Sequence, residues 1–176
     1  MTIVPDTKDW TWVLDRVCDE CGYDARAVVR DHLPSLIRGY TADFLEVLAT
    51  RGVRRRPAPK VWSPLEYGCH VRDVFRTFDQ RLQLMLEEVN PLFPNWDQDA
   101  TALTDRYWEQ DPVVVSRELL EAADAIARRF ASVNDSQWGR PGRRTGGSSF
   151  TIDTFGRYFL HDVVHHLHDV GAGRTR

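Results

Sequence analysis

No apolar run in this 176-residue chain approaches the roughly 20 residues that a membrane-spanning helix requires. The start, "MTIVPDTKDW", lacks a basic stretch followed by an apolar one, so no secretory signal is expected. Cysteine is scarce, and three residues, an odd number, do not make a disulfide framework. An excess of one charge sign is missing too. The formal net charge of −3 provides no global field for nucleic acid or for an anionic membrane. What is present, 42% hydrophobic and 28% charged residues, suits one soluble domain long enough to close a core without staples. The simplest expectation is a cytoplasmic protein with reduced thiols.

The patterned segments read as helices. Residues 25–50 carry Val28, Val29, Leu33, Leu36, Ile37, Tyr40, Phe44, Leu45 and Leu48 in near-helical spacing, with Pro34 as a kink or a junction. "WSPLE" announces a second helix: Ser63 as N-cap, Pro64 at N1, Glu66 closing a capping box, and Trp62 stapled on Tyr67. Its stripe runs to about Glu88, where "NPLFPNWDQD" breaks it. Residues 91–111 read as a long aromatic loop with a helical turn near Ala100–Tyr107. A third helix follows Asp111 and Pro112, and a fourth spans about 151–170 and stops at Gly171. Between these two helices a short extended piece is conceivable near 143–150. The pattern predicts an all-α four-helix bundle with one long crossing connection, residues 25–176, preceded by an N-terminal extension, residues 1–24.

Four of the six histidines crowd into "HDVVHHLHDV", residues 161–170. On a helix His161 and His165 lie about 40° apart, which lets two imidazoles converge on one divalent ion. His168 follows on that face, whereas His166 points well away from it. A third ligand has to come from another helix, and His70, on the apolar stripe of the second helix, is the candidate. The plainer alternative is a helix end whose imidazoles complement the macrodipole near Gly171, and this is the expectation for His166 and His168.

"WSPLEYGCHVRDV" followed some ninety residues later by "FLHDVVHHLHDV" resembles the DinB-like superfamily, which includes mycothiol-dependent maleylpyruvate isomerases and bacillithiol transferases. The resemblance spans roughly residues 25–170. It implies a four-helix bundle with one metal ion, held by a histidine of the second helix and an H-x-x-x-H or E-x-x-x-H pair of the last. Matched residue by residue, these are His70, His161 and His165. It further implies a homodimer, and an activity in which the metal activates a low-molecular-weight thiol, mycothiol or another, for transfer to or from a small electrophile. Hydrolysis or isomerisation of a small molecule, or metal binding without turnover, stays open. Zinc is the default ion, and the same ligands suit nickel or iron.

Other constellations are weaker. "CDECG" (18–22) holds a C-x-x-C pair without the second pair of a zinc ribbon. It serves a second metal only if other ligands join, or it is a redox pair, or two plain thiols. "NWDQDATALTDRYW" offers Asp97 and Arg106 as lid residues or as solvated surface. Tyr158, near the histidine face, is a third candidate helper. Arg140, Arg143 and Arg144 in "GRPGRRTGG" would suit a carboxylate-bearing cofactor, or simply form a basic loop.

Overall fold

The computed structural model describes residues 8–173. Where apolar spacing predicts a helix from residue 25, the chain makes two single 3-10 turns, Ala25–Ala27 and Arg30–His32. Helix α1 (Leu33–Leu48) begins only after them. Pro34 falls in its first turn, where a missing N–H costs nothing, so it starts the helix and kinks nothing.

Helix α2 (Pro64–Glu87) opens with the expected reciprocal cap: Ser63 Oγ accepts from the Glu66 amide, and the Glu66 carboxylate accepts from the Ser63 amide. Trp62 and Tyr67 meet edge to face at 5.5 Å. Arg56 completes the pairing of Glu66, which therefore belongs to the helix start and to no metal. The crossing connection carries a short helix, α3 (Gln98–Thr104), capped by Asp97. Helix α4 (Pro112–Ala131) starts on the Asp111 side chain, and α5 (Ile152–Asp169) on a Thr151–Thr154 capping box.

The four long helices form the bundle, with α4 against α1 and α2, and α5 against the same two. Phe75, Phe78, Phe130, Phe155 and Phe159 interlock at its centre. Each ring withdrawn from water contributes roughly 2–3 kcal/mol. Gly156 lets α5 come close, because a Cβ there would lie 2.7 Å from Leu33 Cδ1.

A purely helical chain is not what forms. Strand β1 (Leu92–Phe93) pairs in parallel with β2 (Pro141–Arg144), which pairs antiparallel with β3 (Ser149–Thr151). Registers Leu92↔Arg143 and Gly142↔Phe150 bind the loop after α2 to the loop before α5. Two irregular segments lying side by side satisfy each other's backbone groups, a demand that helical periodicity does not register. Residues 8–24 of the N-terminal extension pack on the bundle. A 3-10 helix, Trp10–Leu14, lies on α5, and Val13, Cys18 and Tyr23 are buried. Among the described residues no helix is long and apolar enough to cross a membrane.

Candidate metal centres

His70, fully buried on α2, faces two side chains one turn apart on α5. Asp162 Oδ1 lies 3.4 Å from His70 Nε2 and 3.2 Å from His166 Nε2. Metal–ligand bonds of about 2.0–2.2 Å place neighbouring donors roughly 3–3.4 Å apart, so this spacing is that of a ligand shell. His70 Nδ1, His70 Nε2 and Asp162 Oδ1 are buried and make no hydrogen bond among the described residues. Buried polar atoms without partners are costly, and two of these, His70 Nε2 and Asp162 Oδ1, face each other at ligand spacing, as an ion between them would require.

The surroundings fix the donors. Trp96 stacks on the His70 ring at 5.5 Å and 3°, and Trp62 lies 5.2 Å away on another side. His166 Nδ1 is 2.9 Å from Asp169 Oδ2, which turns Nε2 toward Asp162. Burial pushes His70 below its ordinary value and keeps it a neutral donor. Burial also opposes charge on His166, but the Asp162 and Asp169 carboxylates outweigh it and push it up to about 9. Asp162 is half-buried, and although desolvation opposes its charge, His166 and His70 hold its carboxyl far below the usual range.

A second cluster shares the same helix. His161 and His165, one residue out of phase with Asp162 and His166, meet Cys18 and Cys21, with one donor atom from each of the four within 4.8 Å of the others. Burial pushes His161 down to about 4 and lowers His165 as well. Burial raises the Cys21 thiol to about 12, the reverse of the depressed value that a redox C-x-x-C uses. Cys69 is elsewhere, buried beside Tyr107 and Gln110.

Both clusters border a cavity of about 610 Å³, whose wall includes Trp10, Trp62, Trp96, Tyr158, Arg144 and Lys60. The sequence profile of the DinB superfamily matches residues 35–170, most of the chain. The chain belongs to the DinB superfamily. Among solved structures it is similar to YfiT from Bacillus subtilis, described as a probable metal-dependent hydrolase with an unusual four-helix bundle topology. Identity is 17% and the TM-score 0.74, over 85% of this chain and 91% of that one, a likeness of fold. No curated protein matches.

For this DinB-superfamily chain the structure does not gather the expected trio. His70 is joined by Asp162 and His166, while His161 and His165 turn to the cysteines. "HDVVHH" holds two overlapping i, i+4 pairs, and the D-x-x-x-H pair is the one whose phase on α5 meets α2. Of the other candidates, Tyr158, Asp97 and Arg144 line the cavity. Asp97 Oδ1 already accepts from the Ala100 amide. Arg106 is exposed and paired with Glu109. Arg140 is spent on the Met85 and Glu88 carbonyls at the end of α2, each at 2.7 Å. Arg143 is exposed in β2 and is not part of the cavity wall. The acids and arginines that sequence singles out are thus divided among helix ends, cavity wall and exposed surface by the loop geometry.

Proposed function

We propose that this protein is a metal-dependent enzyme that activates a low-molecular-weight thiol for S-transfer to or from a small electrophile, with His70, Asp162 and His166 as the metal ligands. The observation that carries the reading is the pair of unsatisfied donors, His70 Nε2 and Asp162 Oδ1, at ligand spacing beside the cavity. Three protein ligands leave coordination positions open, as catalytic sites do and structural ones do not. When bound there, a divalent ion such as zinc supplies Lewis-acid polarisation and favours deprotonation of a thiol or water.

The chain's own residues do the rest. Trp62 and Trp96 exclude water from the His70 side and hold the imidazole in place. Arg144 and Lys60 give the cavity cationic groups for a carboxylate of the thiol or the electrophile. Burial keeps the Tyr158 phenol protonated, so it can donate a hydrogen bond to a substrate oxygen. Hydrolysis of a small molecule is the second reading, favoured by the description of YfiT and by the same open site.

The test is metal content with turnover on a panel of electrophiles, with and without thiols including mycothiol. The expected result is thiol-dependent product formation that is lost, along with one ion, in His70→Ala and His166→Ala. Turnover of esters or amides without thiol would select hydrolysis. A tightly held ion with no turnover on any substrate would refute the enzyme reading.

A further inference from the structure

We infer that Cys18, Cys21, His161 and His165 form a second, closed zinc site that fastens the N-terminal segment to α5 and so builds one wall of the cavity. The inference stands apart from the proposed activity, since the two clusters share no ligand. Two sulfurs and two imidazole nitrogens fill a tetrahedral shell completely, the composition of structural zinc. Cys18 Sγ lies 3.8 Å from His165 Nδ1. With Zn–S near 2.3 Å and Zn–N near 2.0–2.1 Å, tetrahedral geometry asks for roughly 3.6 Å between them. His161 Nε2 is buried and without a hydrogen-bond partner among the described residues.

The local backbone is shaped for the purpose. Gly22, at φ 75°, turns the chain sharply after the second cysteine, and its amide donates to the Cys18 carbonyl at 2.8 Å. On the far side of His165, Nε2 faces Glu20 Oε2 at 3.6 Å, which fixes the ring so that Nδ1 is the ligand. On binding, the two thiol protons leave to solvent and the two thiolates neutralise the dication.

A redox pair does not fit these facts. Cys18 is fully buried, the two thiols are not joined, and a disulfide would leave His161 Nε2 with nothing to bind. The reward of a zinc site is positional. Trp10, carried on the fastened segment, packs 4.8 Å from His165 and 5.3 Å from His161 and reaches the cavity.

The experiment uses the full chain, freed of metal under reducing conditions and titrated with Co²⁺, then with Zn²⁺. The wild type is expected to develop thiolate-to-cobalt charge-transfer absorption and the strong visible bands of a tetrahedral ion, both removed by zinc. In His166→Ala, which lacks only a ligand of the other site, zinc X-ray absorption should show two sulfurs at about 2.3 Å. Cys18→Ser/Cys21→Ser should bind one ion fewer per chain, lose the charge-transfer band, and keep the ion that His70→Ala loses. Absence of that band in the wild type, a zinc shell without sulfur, or a Cys18–Cys21 disulfide in freshly isolated protein would each overturn the inference. The wild-type spectrum decides the matter even if a variant fails to fold.

Discussion

Removal of Asp169, a residue of the cavity wall beside His166, should weaken the open metal site. Its Oδ2 is 2.9 Å from His166 Nδ1, and this contact aims Nε2 at Asp162 and raises the basicity of the ring. Losing such a carboxylate typically costs about 10–100-fold in metal affinity, or roughly 1.4–2.7 kcal/mol. Asp169→Ala belongs at the upper end. Asp169→Asn belongs at the lower end, because its amide oxygen can still accept from Nδ1.

In the metal-free protein His166 is pushed up to about 9, so at pH 7 a proton occupies the ligand and suppresses binding roughly a hundredfold. Asp169 is one of the two carboxylates responsible. Its removal therefore lowers the proton affinity of His166 and relieves part of that competition, hiding some of the loss at neutral pH. Near pH 9.5, in chelator-buffered zinc, competition is weak and the full 10–100-fold should appear, about tenfold more than at pH 7 if the His166 value falls by one unit. The imidazole C–H resonances of metal-free protein report that fall directly. Affinity within about threefold of wild type near pH 9.5, or an unmoved His166 titration, would refute the reasoning.

Three further outcomes are expected. Asp73 accepts two hydrogen bonds from Arg72 at 2.8–2.9 Å and one from Tyr107 at 2.6 Å. Burial opposes its charge, but these partners hold its carboxyl below the ordinary value, so its contribution is present above about pH 4 and fades as pH falls. Asp73→Asn should cost about 2 kcal/mol at pH 7 in urea denaturation, less than for a fully orphaned ion because Glu118 still faces Arg72 at 2.8 Å, and should flatten the acid limb. Gly156→Ala gains helix propensity but drives a methyl against Leu33 and Phe130, so the urea midpoint should drop by the equivalent of about 1 kcal/mol at unchanged m. Gly22→Ala meets no atom within 4 Å, and its left-handed backbone alone should cost about 1 kcal/mol, read as a roughly fivefold weaker thiolate–cobalt complex.

Signals carried by neighbouring residues were legible from sequence: the Ser63–Glu66 box, the Trp62–Tyr67 staple, Asp111 before Pro112, and the helical stripes that close the bundle. The parallel pairing of residues 92–93 with 143–144 was not, because about fifty residues separate partners that only the folded bundle brings together. The same limit explains the ligands. Periodicity gives the angle between His161 and His165, and equally between Asp162 and His166, but the phase of α5 against α2 depends on how both helices pack. At 100° per residue, a one-residue offset turns the donors to a different neighbour. That offset lets adjacent i, i+4 pairs on one helix serve two sites, the first reaching back to the C-x-x-C turn and the second across to His70. Asp169 lies between them, one oxygen on His166 and the other 4.0 Å from His165 Nε2. Through this residue, filling the cysteine site should sharpen binding at His70, Asp162 and His166: in chelator-buffered zinc the open site of Cys18→Ser/Cys21→Ser should bind more weakly than that of the wild type, and equal affinities would refute the link.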